Sequence, residues 1–344
     1  MKTVCVYHRV DLDGWMSAAI VKHWFEEKQY SLTFKARQKS NSEIIPDTLD
    51  FIGYNYGDPI PDLSEYDKVI ICDVSFPMEI IINLHEKLKH NFIILDHHKS
   101  FIEDIPRGLC LHGILNWDYA ACELTWKYFF PEPDGADYHS AHIPSNLKGE
   151  NIPLPKNEMP EIVRLLGMYD SFRHKGTNEE QKVLEFQYGA RQVISNYEEA
   201  YNCLIASIEN KSVYGFEITE KQTLERYIHK KGIIIYQYLC TEAKQVYKNG
   251  FPIRIVIPGP SPTYKFICIN KERFNPTNFG IDYHAEGYNG AACFWYSNGK
   301  WQFSLYNDNG KVDCSVIAKS FGGGGDCGAA GFVCDTEQLL KIIT

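Results

Sequence analysis

Phe92-Ile93-Ile94-Leu95-Asp96-His97-His98-Lys99-Ser100 runs four apolar residues straight into an acid and two histidines. A short apolar run of this kind predicts a buried strand, which places the Asp-His-His group at the strand's carboxyl end. Open α/β sheets gather their ligands along that edge. Two further apolar runs end alike: Val4-Cys5-Val6-Tyr7-His8 leads to Asp11 and Asp13, and Val69-Ile70-Ile71-Cys72 leads to Asp73. Three strand ends therefore deliver carboxylates and imidazoles.

Outward from these runs, apolar segments alternate with amphipathic ones. Strands at 4–7, 69–72 and 92–95 are separated by helical patterns at 14–28 and 77–89, which predicts a parallel sheet covered by helices. Residues 120–130 and 161–168 read as further helices, the second ending at Asp170. Between them, residues 131–160 hold six prolines and show no period, so an irregular excursion is expected, either a flap beside the site or a disordered segment. The stretch 197–248 lacks proline and repeats Leu, Ile and Tyr at three and four, as a helical connector would. Short β-rich runs at 253–257, 264–269, 291–296 and 301–306, a helix centred on 316–320 and a glycine loop complete a smaller α/β domain. The expected division is 1–196, 197–248 and 249–344.

Composition narrows the function classes. A chain of 344 residues is comfortable as two domains, and 44% hydrophobic with 23% charged residues is the balance of a soluble globular protein. No basic segment with a long apolar run opens the chain and no stretch approaches the ~18 apolar residues of a membrane span, so a cytoplasmic protein without a signal peptide or membrane contact is expected. The eleven cysteines contain no Cys-x-x-Cys pair; Cys5, Cys72, Cys268 and Cys293 lie inside apolar runs and read as small buried hydrophobes in a reducing compartment. A net charge of −9 argues against long-range attraction to a nucleic-acid polymer. Residues 1–210 carry 20 basic against 32 acidic side chains and residues 211–344 carry 15 against 12, a second half suited to a short anionic ligand.

The chain resembles the DHH phosphoesterases. Their first motif is matched by His8-Arg9-Val10-Asp11-Leu12-Asp13-Gly14, their second by Asp73, their third by Asp96-His97-His98, and their fourth by Asp170, with Asp118 its competitor. The segment from Val312 to Phe332, with Gly322-Gly323-Gly324-Gly325-Asp326 at its centre, is similar to the glycine-rich motif of the DHHA1 domain. The resemblance implies a parallel-sheet DHH domain with flanking helices and a smaller α/β DHHA1-like domain.

It also implies a ligand set. Two histidines and four aspartates suffice for two six-coordinate divalent ions sharing one bridge, Mn²⁺ or Mg²⁺. By the resemblance, His8, Asp11 and Asp73 hold one ion and Asp13, Asp73, His97 and Asp170 the other, with Asp73 bridging. Such a pair prepares a hydroxide for in-line attack on a phosphodiester. Neighbouring side chains on an extended segment point opposite ways, so His98 is expected off the metals and, by the resemblance, on the substrate phosphate or leaving group. Asp96 is expected to orient His97 or a loop amide.

Two positions depart from the DHHA1 pattern. Asp326 stands where a histidine follows the glycines, and Tyr306 follows Ser304-Leu305 where an arginine is expected. Glycine amides can face an anion, and Tyr306 is read either as a stacking partner for a base or as an ordinary strand aromatic. Lys319, Arg273 and His284 are candidate replacement cations. The implied activity is that of the nano-RNase, oligoribonuclease-like branch: hydrolysis of short single-stranded RNA or DNA, or of dinucleotides, to mononucleotides, by a chain compatible with a homodimer. A cyclic-dinucleotide phosphodiesterase and a catalytically weak nucleotide sensor are the alternatives.

Overall fold

The three apolar runs that end in acids and histidines are adjacent strands of one parallel sheet. A computed structural model describes residues 1–39, 47–131, 159–209, 223–256 and 263–343, so the expected flap lies, apart from its ends, outside the described residues. The chain forms two compact units, Met1–Gly232 and Ile233–Thr344. The first comprises β1 (Lys2–His8), α1 (Leu12–Lys39), β2 (Thr48–Tyr54), β3 (Lys68–Cys72), α2 (Met78–Leu88), β4 (Phe92–Asp96), α3 (Lys99–Asp104), β5 (Gly113–Leu115), α4 (Ala121–Phe129), α5 (Glu161–Asp170), α6 (Glu180–Ala190), α7 (Tyr197–Glu209) and the start of α8 (Leu224–Tyr247). Its sheet has the order β2-β1-β3-β4-β5 with every pair parallel.

Helices cover both faces of this sheet, so its strands are apolar on both sides and show no alternation in sequence. Val4, Val6, Val69, Ile71 and Ile94 pack with Ile81, Phe101 and Ile102 on one face. Cys5, Ile70, Cys72, Ile93 and Leu95 pack with Ala18, Val21, Leu124 and Tyr128 on the other. Burying each Val, Ile or Leu side chain contributes about 1.5–3 kcal/mol. Edge strand β2 escaped the sequence reading because Asp50 and Gly53 interrupt its apolar residues, and most of its side chains are only half-buried.

The second unit holds the end of α8, then β6 (Phe251–Val256), β7 (Thr263–Ile269), β8 (Gly290–Ser297), β9 (Lys300–Tyr306), α9 (Cys314–Ser320), β10 (Gly324–Gly325), β11 (Ala329–Cys334) and α10 (Thr336–Ile343). Its sheet runs β10-β11-β9-β8-β7-β6, antiparallel except where β7 meets β8. Asp313 caps α9, its Oδ1 accepting from the Ser315 and Val316 amides at 3.0 and 3.4 Å. Among the described residues, no helix is long and apolar enough to cross a membrane.

Helix α6 is held against the start of α8 by glycine. A Cβ on Gly189 would come within 2.1 Å of the Ile228 carbonyl oxygen, and one on Gly232 within 1.6 Å of the Glu185 carbonyl oxygen. Rigid backbone on both sides leaves no room to adjust. Gly189→Ala should therefore lower stability by roughly 1–3 kcal/mol, read as a reduced urea midpoint with an unchanged slope. A wild-type midpoint would contradict this packing.

Candidate active site

Sheet register assembles the site. Tyr7 pairs with Cys72 and Cys72 with Leu95, so the next residue of each strand, His8, Asp73 and Asp96, arrives at one height on the carboxyl edge. The chain then turns into α1, whose opening is built around His8. Asp11 Oδ1 accepts the Gly14 amide at 2.9 Å, and a Cβ at position 14 would fall 2.0 Å from the His8 carbonyl oxygen. Gly14 is thus a steric requirement of the first motif.

Backbone positions each of these acids. Asp13, buried, accepts the Ala121 and Cys122 amides at 2.8 and 2.7 Å, so the amino terminus of α4 holds it and favours its charge. Asp73 occupies the left-handed region at φ 60°, a conformation costing a non-glycine residue about 1–3 kcal/mol. That turn lets its amide reach the Leu95 carbonyl at 3.0 Å while its carboxylate turns into the cluster. Asp170 sits on the last turn of α5, followed by Phe172 at φ 58°, and lies 3.2 Å from His97.

The cluster is dense. Asp73 Oδ1 is 3.2 Å from His97 Nε2, and Asp73 Oδ2 is 3.4 Å from His8 Nδ1, so the two oxygens of one carboxylate face two imidazoles. His97 Nε2 also lies 3.6 Å from Asp13, and His8 Nδ1 lies 2.6 Å from Asp11. Despite these separations, His8 Nδ1 and Asp73 Oδ2 are buried without a hydrogen bond. Ligand atoms fall into the groups His8, Asp11, Asp73; Asp13, His97, Asp170; and Asp73, His97, His98, each within 4.8 Å. Asp170 joins these groups and its competitor Asp118 does not.

Protonation reflects the crowding. Burial, then repulsion from Asp73, pushes the Asp13 carboxyl up to about 7. Burial and the neighbouring Asp11 raise Asp73. Burial acts to lower His8, but Asp11 and Asp73 outweigh it and hold the imidazole well above its ordinary value. Burial would raise Asp11, and His8 outweighs it in the other direction. Uncompensated like charge of this kind, with N and O donors only, fits hard divalent cations.

The third motif differs from the expected geometry at one point. His97 and His98 do not diverge: their ring centroids lie 4.8 Å apart at 53°. Strand pairing ends at Asp96, so the alternation of an extended segment no longer governs the pair. Asp96 Oδ1 accepts from the amides of His97 and His98 at 2.7 and 3.2 Å and lies 2.7 Å from His98 Nδ1, so it orients two loop amides and the imidazole of His98. Tyr56, half-exposed in the loop after β2, faces both imidazoles with ring centroids 6.0 Å from His8 and from His98. Nothing in the sequence marks it, because the strand before it was not foreseen.

In the second unit, the glycine loop is engaged internally. The Gly322 and Gly323 amides donate to the Lys319 and Ala318 carbonyls at 3.0 and 2.8 Å, and the Asp326 amide to Ala329 at 2.7 Å. Gly324 and Gly325 pair with Gly331 and Ala330 as β10 and β11. Glycine is needed here for backbone shape: Gly322 and Gly325 have φ 80° and 127°, and a Cβ on Gly323 would strike the Gly331 oxygen at 2.0 Å. Tyr306 ends β9 opposite Ala291 and Ala329, and His284 is committed to Asp308 at 2.9 Å.

Residues 2–147 match the family model described as DHH family, N-terminal domain. Over these residues the chain is similar to the DHH family's N-terminal domain. Uncharacterized protein R106 of Acanthamoeba polyphaga mimivirus is 23% identical over 334 residues, covering 95% of this chain and 66% of that protein, so the chain spans just under two thirds of its relative. Among solved structures, the pGpG-specific phosphodiesterase PggH from Vibrio cholerae is 12% identical with a TM-score of 0.41, covering 99% of this chain and 96% of that one. An exopolyphosphatase-related protein from Bacteroides fragilis gives 15%, 0.42, 99% and 89%, and exonuclease RecJ bound to manganese gives 14%, 0.41, 99% and 87%. Asp96-His97-His98 lies within the matched residues, beginning at the last residue of β4.

Asp96 also bears on His98's charge. Burial lowers the His98 pKa, but Tyr56 and Asp96 raise it well above the ordinary value. In an NMR titration of chelator-treated protein, His98 should titrate at lower pH in Asp96→Asn than in wild type. An unchanged titration would contradict this role of Asp96.

Proposed function

We propose that this chain is a divalent-metal-dependent phosphodiesterase of the DHH family acting on short oligonucleotides or dinucleotides. One observation carries the reading: the Asp73 carboxylate turns one oxygen to His8 and the other to His97, each imidazole with further carboxylates around it. His8, Asp11 and Asp73 would hold one cation, and Asp13, Asp73, His97 and Asp170 a second, with Mn²⁺ or Mg²⁺ suiting the donors. When bound, two such ions supply Lewis-acid activation of a phosphoryl group and a nucleophile at neutral pH.

The remaining work falls to side chains of the chain itself. Asp96 fixes Nδ1 of His98, which leaves Nε2 as the donor for a phosphate or leaving-group oxygen. The raised pKa of His98 keeps it protonated near neutrality, as a donor of this kind requires. The amides that the Asp13 and Asp96 carboxylates accept, and the Asp73 amide bonded to the Leu95 carbonyl, preorganise the site before any ligand arrives. The acidic balance of residues 1–210 suits a short substrate better than a long duplex.

Asp73→Asn is the sharpest test of the chemistry, because asparagine tolerates the left-handed backbone at this position and removes only the charge. Turnover of 2–5-residue oligonucleotides should fall by at least about a hundredfold, with a wild-type circular dichroism spectrum. Near-wild-type turnover would sink the reading.

Metal binding should depend on pH with a definite sign. Between the ordinary value of 3.8 and the folded value of about 7, the folded chain holds a proton on Asp13 that the unfolded chain releases, so this contribution to stability is lost as pH rises through 7. Raised His8 acts in the same direction and to higher pH. Cations replace those protons, so the rise in Tm on adding Mg²⁺ or Mn²⁺ to metal-free protein should grow from pH 5.5 to 8. A constant or shrinking rise would contradict the assignment.

A further inference from the structure

We infer that Arg191 is a phosphate-binding residue of the candidate active site, placed to hold an anionic oxygen of the substrate beside the acid–imidazole cluster. The inference rests on the phosphodiesterase reading for its substrate class, but not for its test.

Arg191 caps the carboxyl end of α6, with its amide on the Gln187 carbonyl at 3.1 Å. The close glycine contacts of α6 with α8 fix where that end lies. Its guanidinium spreads over two tyrosine rings, 5.1 Å from the Tyr188 centroid and 5.6 Å from that of Tyr169, and Nη2 is 3.5 Å from Tyr169 Oη. Tyr169 in turn stacks on the buried His174, ring centroids 5.5 Å apart and 8° from parallel. Tyr169 immediately precedes Asp170, whose carboxylate lies 3.2 Å from His97. A planar cation is therefore held by the residue that immediately precedes Asp170, within electrostatic reach of Asp11.

Three other arginines of this unit are paired with carboxylates: Arg9 with Asp58, Arg164 with Glu161 and Glu179, and Arg173 with Glu123. Among the described residues, Arg191 forms no ion pair, and its side chain keeps contact with solvent. A guanidinium laid on aromatic faces keeps its remaining N–H groups in the ring plane, in the fork geometry that binds two oxygens of a phosphate. Electrostatics agree: the protein around the head lowers its pKa, and Tyr169, Tyr188 and, more weakly, Asp11 raise it by more, so the charge is felt within the cluster. A cation at the rim of an acidic site answers a specific need. With His8, Asp11, Asp13, Asp73, His97 and Asp170 holding cations that would neutralise the scissile phosphoryl group, Arg191 would receive a further anionic oxygen that the carboxylates repel.

The bland alternative is a cation completing the end of α6, where helix carbonyls favour positive charge. Calorimetric titration of orthophosphate into Mg²⁺-saturated wild type, Arg191→Lys and Arg191→Gln separates the two. Wild type should bind phosphate, Arg191→Gln should bind it about tenfold more weakly, and Arg191→Lys should fall between, with Mg²⁺ affinity and Tm unchanged in all three. Equal phosphate affinity in wild type and Arg191→Gln, absence of phosphate binding by wild type, or parallel loss of Mg²⁺ affinity would overturn the assignment. On a 5′-phosphorylated dinucleotide, Arg191→Gln should raise KM with a smaller change in kcat. If no chain hydrolyses that dinucleotide while the phosphate affinities still differ, the phosphodiesterase reading fails and the Arg191 assignment stands.

Discussion

Asp73 joins the two halves of the cluster, and its position is set by strand register. A one-residue slip between β1 and β3, or between β3 and β4, would reverse the faces of every side chain and break both cores at once. Hydrophobic burial thus holds the register, and the register holds the acids together. The sheet's stability is what permits Asp11, Asp13 and Asp73 to stand close enough to repel one another. Strain at the Asp73 backbone and elevated protonation at Asp13 are two expressions of the same crowding.

Around that core, each carboxylate is tied to a different device. Asp13 leans on the amino terminus of α4, Asp11 closes the first turn of α1, and Asp170 waits on the last turn of α5. Glu123, fully buried beneath, accepts from Ala120 and Arg173, while a Cβ on Gly167 would strike its side chain at 2.3 Å. This buried ion pair links α4 to the turn after α5, so the elements carrying Asp13 and Asp170 share a support. Breaking a buried pair leaves an uncompensated charge, which couples the site to its scaffold.

Much of this was legible in the sequence, because an apolar run ending in an acid is both a strand and a strand end. The parallel sheet and the convergence of His8, Asp73 and His97 follow from that pattern, whereas Asp170, at the end of a helix, was marked only by the resemblance. Features set by tertiary contact did not show. Edge strand β2 is half polar, so the loop bearing Tyr56 had no anchor. The pairing of Asp96 with His98 depends on the chain leaving strand geometry at residue 97, which periodicity does not reveal. Four glycines in a row look like a ligand cradle, yet the amides of Gly322 and Gly323 close the turn after α9, since glycine answers steric closeness as readily as it answers an anion. Arg191 lay unmarked because a lone arginine after a helix has no signature until its rings are placed.

The central claim is that the Asp73 carboxylate bridges two cations. Anomalous X-ray scattering from crystals grown with Mn²⁺ tests it most directly. The account predicts two peaks flanking Asp73, one among His8, Asp11 and Asp73 and one among Asp13, Asp73, His97 and Asp170, with His98 on neither. A single peak away from Asp73, or coordination through His98 in place of His97, would contradict it.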